Sequence, residues 1–329
     1  MPTRINLSHQ LFGVLCLFTL VLTSCSTAHA TTYNGGTLSA TIQPQSGCGK
    51  TPMIPAATSR NETIRVNGLV RAYRLHIPAD YNSRHHYPFI LNFHGHGSNS
   101  RNQEYLTGMS RLADGAQFIV AYPQGTIGRD HLTGWNTGPA RYPHVNDIQF
   151  TSDIINNVEA NLCINTQRIY AAGFSNGGGM VNTLACTLST RIAAFAIVSG
   201  GMHPVAGGCH PQRPVSLIEF HGTSDHTVPY TGNKSNDDEP PIQSWLQSWV
   251  KLDAANPQAT IFYKRSGVLG ERWTTPQHTA TIIHYRIQGE GHQWPTITFQ
   301  DSNGHTVNAT ELIWQFFQAH SLAAAAKTV

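Results

Sequence analysis

The stretch Arg168–Met180, RIYAAGFSNGGGM, limits what this chain can fold into more than any other. A β-branched and apolar run, Ile169-Tyr170-Ala171-Ala172, leads into Gly173-Phe174-Ser175-Asn176-Gly177, a match to G-x-S-x-G. A glycine triplet, Gly177-Gly178-Gly179, leads out into Met180–Leu184, which can be helical. Strand, sharp turn and helix in succession leave the serine hydroxyl clear of a sheet, at the amino end of a helix. The turn strains the backbone at the serine, so its neighbours must be small, and glycine on both flanks meets that need. Taken alone, the five residues fit an ordinary αβ turn as well as a turn built to expose a nucleophile.

The rest of the chain supplies the sheet. Glu62–Val66 and Leu69–Ile77 alternate around Asn67-Gly68, the strongest short hairpin signal. Tyr87–Phe93 and Phe118–Tyr122 are continuous apolar runs, which fit strands buried on both faces. Glu104–Gly115 can be the helix between them, and Asp147–Leu162 carries apolar residues at helical spacing. Arg168–Phe174, Ala194–Val198, Val215–Phe220 and Thr281–Ile287 follow as strands, with Pro240–Leu252 as a helix. A last helix is capped by Asn308 and Glu311, with Leu312, Ile313, Phe316 and Phe317 on its core face. Strands alternating with helices predict a mostly parallel central sheet covered on both faces, opened by an antiparallel hairpin. No internal repeat or linker divides it.

In such a sheet, reactive side chains gather beyond the carboxyl ends of the strands. Ser175 follows one strand, Asp225 the strand Val215–Phe220, and His292 the last strand. Serine, acid, histidine is the chain order of an α/β hydrolase. A serine hydroxyl is a poor nucleophile until a neutral imidazole takes its proton, and a buried carboxylate fixes the imidazole tautomer. Ser175 is therefore the candidate nucleophile, His292 the base and then acid, and Asp225 the orienting carboxylate. Asp147 and Asp153 are rival acids that precede the serine, and His221 and His226 are rival bases. His292 must be neutral to act, so activity should fall on acidification. An oxyanion hole needs two N–H donors, expected from the backbone of Asn176 and of His96 in His94-Gly95-His96-Gly97. Trp135, Tyr230 and Trp294 lie in loops at the same end, where they could stack on an aromatic or sugar ring or simply pack the loops.

Composition bears on location. Charged residues make up only 12%, and the net charge of +3 forms no basic cluster, so nothing points to nucleic acid. Eighteen histidines are scattered, with no H-E-x-x-H pattern, so no metal site is expected. Arg4 precedes an apolar core, Leu11–Leu22, too short to span a membrane, and no other stretch is apolar enough to do so. Ala28-His29-Ala30 offers a cleavage site, while Leu22-Thr23-Ser24-Cys25 offers a lipobox that would place a lipid anchor on Cys25. Either way the mature chain is secreted or held at the outer face of a membrane. Asn61, Asn233 and Asn308 begin N-x-S/T sequons. Apart from Cys16 and Cys25, the cysteines are Cys48, Cys163, Cys186 and Cys209. In an oxidising compartment they suggest two disulfides with three possible pairings, of which Cys48–Cys163 and Cys186–Cys209 suit the topology best. The expected organisation is a signal segment over 1–30 (or one ending before Cys25), a leader over 31–47, one catalytic domain over 48–320 and a tail over 321–329.

Tyr170–Met180 with Leu184-Ala185-Cys186 resembles the secreted feruloyl esterase and polyhydroxybutyrate depolymerase-like group of α/β hydrolases. Gly47-Cys48-Gly49, Asn92–Gly97, Trp135-Asn136, His221–Asp225 with Val228-Pro229-Tyr230, and Gly291–Pro295 fit the same group. The resemblance runs from about Cys48 to Phe317. It implies ester hydrolysis without a cofactor and supports Ser175, Asp225 and His292 position by position. It implies either release of hydroxycinnamic acids from plant cell-wall polysaccharide or cleavage of hydroxyalkanoate polyesters. Two positions depart from the group. An acidic pair is common where this chain has Asn146-Asp147, and a cysteine is common where it has Asn256-Pro257. A serine peptidase shares the residue order but usually carries a large extra domain. A non-catalytic wall-binding protein would not need the three residues.

Overall fold

The computed structural model describes residues 46–137, 142, 145–235, 239–265, 267–296 and 307–323. The expected signal segment, its two processing sites and most of the leader and tail lie outside them. In chain order the elements are β1 (Thr58–Val66), β2 (Leu69–Ile77), β3 (Tyr87–Phe93), α1 (Ser100–Thr107), α2 (Met109–Ala116) and β4 (Ile119–Pro123). A two-residue pair follows, β5 (Thr126–Ile127) and β6 (Thr133–Gly134), then α3 (Asp147–Asn161), β7 (Ile164–Phe174), α4 (Asn176–Thr187), β8 (Ala194–Val198) and β9 (Ser216–Gly222). The chain goes on through α5 (Ile242–Leu252), β10 (Thr260–Arg265), β11 (Val268–Thr274), β12 (Thr281–Ile287) and α6 (Ala309–Gln318).

One ten-stranded sheet runs β1-β2-β4-β3-β7-β8-β9-β12-β11-β10. Its middle, from β4 to β12, is parallel. Consecutive residues of the middle strands divide between two hydrophobic layers. Phe89, Leu91, Ile169, Ala171, Phe195, Ile197 and Leu217 face α3, α4 and α5. Ile90, Tyr170, Ala172, Ala194, Ala196, Ile218 and Phe220 face α2 and α6. Both faces are covered, so β3, β4 and β8 read as near-continuous apolar runs.

The sheet is an α/β-hydrolase sheet with the expected opening hairpin, in which Val66 pairs Leu69 across Asn67-Gly68. It also has a closing antiparallel hairpin that periodicity did not indicate. Strand β10 lies on the sheet edge and is largely exposed, and β11 carries Gly270, Glu271 and Arg272, so neither shows an apolar run. The helix expected over Glu104–Gly115 is two helices. Gly108 adopts a left-handed conformation (φ 60°) that ends α1 and opens α2. The leader ends earlier than expected, because Gly47 is buried and its N–H donates to the Glu159 carbonyl. Both favoured disulfides are present: Cys48–Cys163 ties the start of the domain to the end of α3, and Cys186–Cys209 ties α4 to the loop after β8. Asn308 caps α6 by accepting from the Glu311 N–H. No helix among the described residues is long and apolar enough to cross a membrane.

Candidate active site

Ser175 stands between β7 and α4 with φ 55° and ψ −122°, a region that costs a non-glycine residue energy. The surroundings hold it there. Its N–H donates to the Val198 carbonyl at 2.9 Å, and its own carbonyl accepts from Gly179 (3.1 Å) and Gly201 (3.2 Å). The flanking glycines are there for space. A Cβ at Gly173 would collide with the Gly177 carbonyl, and one at Gly177 with the carbonyls of Phe93 and His94. Although Ser175 precedes a helix, its side chain makes no capping bond, and the half-buried hydroxyl has no hydrogen-bond partner among the described residues.

Asp225 and His292 meet where the ends of β9 and β12 come together. The Thr223 N–H donates to Ile287 and the Ser224 N–H to Glu290, which brings the two loops side by side. His292 Nδ1 donates to Asp225 Oδ2 at 2.7 Å, while Asp225 Oδ1 accepts from the N–H groups of Thr227 (2.9 Å) and Val228 (2.8 Å). Burial opposes the charge on Asp225. The bonds from His292 and Val228 and the nearby histidine charges outweigh it and hold the carboxyl below its ordinary range. The His292 ring rests on Phe174, 4.9 Å between centroids, next to the serine. His292 Nε2 has no partner among the described residues. In ligand-free sites of this kind the serine–histidine bond often closes only when substrate binds.

The loop after β3 lies against the serine. A Cβ on Gly95 would stand 3.2 Å from Ser175 Cβ. His94 anchors this loop: its Nδ1 donates to Gly95 O at 2.7 Å, and its Nε2 accepts from the Gly125 N–H at 2.9 Å. Burial pushes its pKa down to about 4, so the ring is neutral with its proton on Nδ1. The His96 imidazole turns outward to Asp130 Oδ2 at 2.8 Å. Neither the His96 nor the Asn176 backbone N–H has an acceptor among the described residues, and Asn176 is the first residue of α4. Its side chain braces the neighbouring loop, Oδ1 accepting from the Trp135 N–H at 2.7 Å and Nδ2 donating to Thr137 Oγ1 at 2.9 Å.

Of the two roles open to the three aromatic residues, loop packing is the one that Trp135 and Trp294 adopt. Trp135 is 1% exposed, packs edge-on to Phe93 and donates from Nε1 to the His94 carbonyl at 2.8 Å. Trp294 is 2% exposed and donates to Thr310 Oγ1. Both rings support loops from within. Tyr230 is half-buried, with its hydroxyl bound to Gln243 and His284. Sequence reading missed the support given by two buried groups. Asp147 is not a rival acid: Oδ1 pairs with Arg71 Nη2 at 2.8 Å and Oδ2 accepts from the Asn136 N–H. Glu219 and His221 form a buried pair on β9, bound across to His284 on β12. The signal was present in Ser216–Gly222, where a glutamate and a histidine interrupt a buried strand.

No protein-family model matches the chain. A protein of Aspergillus terreus named "Probable feruloyl esterase C" is 33% identical over 205 residues, 60% of this chain and 68% of that one. The chain belongs to the feruloyl esterase family. In Aspergillus niger a "Probable feruloyl esterase C" is 28% identical over 281 residues, 83% of this chain and 90% of that one. The match to the Aspergillus clavatus protein of the same description spans 64% of that relative's length at 32% identity. The solved acetyl xylan esterase from Aspergillus awamori shares the fold, with a TM-score of 0.55 at 13% identity over 79% of this chain and 99% of that one. In this feruloyl esterase-family chain, Cys48, His86 and Cys163 lie close enough to hold a metal ion, but the two cysteines are bonded to each other. Their thiolates are not available as ligands.

Proposed function

We propose that the chain is a serine carboxylic ester hydrolase that releases hydroxycinnamic acids from feruloylated plant cell-wall polysaccharide. The observation that carries this reading is the 2.7 Å bond from His292 to the buried Asp225, set beside a strained Ser175 whose hydroxyl has no partner among the described residues. Ser175 Oγ attacks the ester carbonyl carbon as its proton passes to His292 Nε2. The tetrahedral oxyanion takes hydrogen bonds from the N–H groups of Asn176 and His96. Loss of one such donor typically costs about 3–4 kcal/mol of transition-state stabilisation. Collapse breaks the bond to the sugar oxygen, which leaves with the proton held by His292. Water then attacks the acyl-serine, giving a proton to His292; collapse breaks the bond to Ser175 Oγ, which takes that proton back, and the free acid departs.

Export belongs to the same reading and is supported by two disulfides, which persist in oxidising compartments. The mass of the mature amino-terminal peptide separates cleavage after Ala30 from acylation at Cys25. The substrate class is tested by turnover of methyl ferulate beside a short 3-hydroxybutyrate oligomer. Ferulate turnover lost in Ser175→Ala supports the reading. Turnover of the oligomer alone would keep the mechanism and assign the chain to polyesters.

A further inference from the structure

Behind Asp225 lies a buried polar chain that ester hydrolysis as described does not use. His221 Nδ1 faces Glu219 Oε1 at 2.9 Å, and its Nε2 faces the Val228 carbonyl at 2.8 Å, with Asp225 Oδ2 at 3.5 Å. Glu219 Oε2 faces His284 Nδ1 at 2.6 Å, and His284 Nε2 meets the Tyr230 hydroxyl at 2.9 Å. The side chains of Glu219, His221 and Asp225 are fully buried.

Donors and acceptors can be assigned from these contacts. A carbonyl only accepts, so His221 Nε2 carries a proton. The Tyr230 hydroxyl accepts from Gln243 and has its own proton free to donate to His284 Nε2, an arrangement that leaves the His284 proton on Nδ1, facing Glu219. Burial opposes a charge on Glu219, but the charge and bonds of His284 and His221 outweigh it and hold the carboxyl below its ordinary range. An ionised carboxylate only accepts, so His221 Nδ1, facing Glu219 Oε1, carries a proton as well. His221 is thus surrounded by acceptors alone. We propose that His221 is a buried imidazolium in the resting protein, fixed between Glu219 and Asp225, and that it acts as a positioning residue. It holds Asp225 ionised and oriented, and its positive charge sets the acid limb of reactivity at Ser175.

The surrounding charges fit. On its own strand His221 faces Glu219, and from the following loop it faces Asp225 and, edge-on at 5.8 Å, the Tyr230 ring. On β12, His284 lies in register with Glu219 and Arg286 with His221. Glu271 reaches the cluster only through Gln243, and His292 only through Asp225. Burial works against the His221 cation. The bond and charge of Glu219, with the Val228 carbonyl and Asp225, outweigh it and hold His221 above the ordinary histidine range.

The inference rests on the Ser175–His292–Asp225 reading, so its test begins without turnover. Nitrogen-15 NMR of the full chain with labelled histidine, assigned by the signals lost in His221→Gln, reads the ring directly. Two protonated nitrogens at pH 7.5 are expected. A neutral ring, with the proton on Glu219, would overturn the proposal.

The rate of Ser175 labelling by a fluorophosphonate then gives a pH profile that needs no natural substrate. His221→Gln keeps a donor and removes the charge. Its acid limb should move up by about half a unit to one unit, slowing labelling roughly three- to tenfold on that limb. Glu219→Gln, which removes the anion that holds the proton, should move the limb the same way, and it decides the matter if His221→Gln does not fold. A limb unmoved in folded variants, or a loss equal at every pH, would overturn the positioning role. Failure of native Ser175 to label at all would instead sink the site reading, and the His221 resonance would still test the cation.

Discussion

Replacing Arg71 with methionine tests how the interior of the domain supports the site. The guanidinium is 4% exposed and its partner carboxylate 2% exposed, with Nη2 2.8 Å from Asp147 Oδ1. It lies 3.9 Å from the centroid of the Phe150 ring and donates to the Gln124 carbonyl at 3.3 Å. Methionine keeps an unbranched stem over Phe150 but leaves Asp147 with only the Asn136 N–H. A hydrogen bond to a charged group contributes about 1.5–3 kcal/mol, and a desolvated cation–π contact about 2 kcal/mol. Stranding a buried charge brings the total cost to about 3–5 kcal/mol. The double variant Arg71→Met/Asp147→Asn removes the stranded charge and keeps an acceptor for Asn136, so it should recover more than half of that loss. Urea unfolding followed by tryptophan fluorescence gives both free energies. Activity should follow, because Asp147 holds Asn136 and Asn176 holds Trp135 in the same loop. Misplacing such a brace should lower kcat/KM roughly tenfold or more in the single variant. A cost below about 1 kcal/mol, or a double variant no more stable than the single, would refute the reasoning, since a stranded buried charge has to be expensive.

Gly177→Ala should abolish activity and lower the yield of folded protein, because the added Cβ meets the carbonyls of Phe93 and His94, which cannot both move; near-native activity would contradict the packing described. Burial pushes the Asp253 carboxyl from 3.8 up to about 7, against the Val215 N–H bond and the Arg213 charge, and its Oδ2 has no partner among the described residues. A folded pKa above the unfolded one favours the fold below about pH 4 and loses that benefit as the pH rises through 7. Asp253→Asn should therefore be neutral at pH 4 and stabilising at pH 8 by up to about 4 kcal/mol, read from paired urea titrations. The two disulfides close segments of 115 and 23 residues, so loss of Cys48–Cys163 should cost more than loss of Cys186–Cys209. Loop entropy puts the two at about 5 and about 3 kcal/mol, to be compared in single Cys→Ala pairs under oxidising conditions.

What could be read from the sequence follows physical locality. Strands β3 and β8 lie at the expected residues, because burial on two faces leaves an unbroken apolar signature. The turn at Ser175 and the cap at Asn308 are local chemistry, visible in a few residues. The edge strand β10 and its neighbour β11 carry no such signature, since one lies exposed and the other is interrupted by charge. Trp135 and Trp294 sit in polar loops, and nothing local reveals that one roofs the His94 loop and the other is enclosed beside α6. The supports of the site are long-range. Arg71 and Asp147 are 76 residues apart, and Glu219 and His284 are 65 apart, so only the folded sheet brings them together. A single sequence indicates which residues can do chemistry more readily than which ones hold them in place.

The most direct test of the account is intact-protein mass spectrometry of the chain quenched within the first turnover of a feruloyl ester. The account predicts an adduct of one feruloyl group on the native chain, mapped to the peptide that contains Ser175 and absent from Ser175→Ala. Full hydrolysis by Ser175→Ala, or an adduct on any other residue, would contradict it.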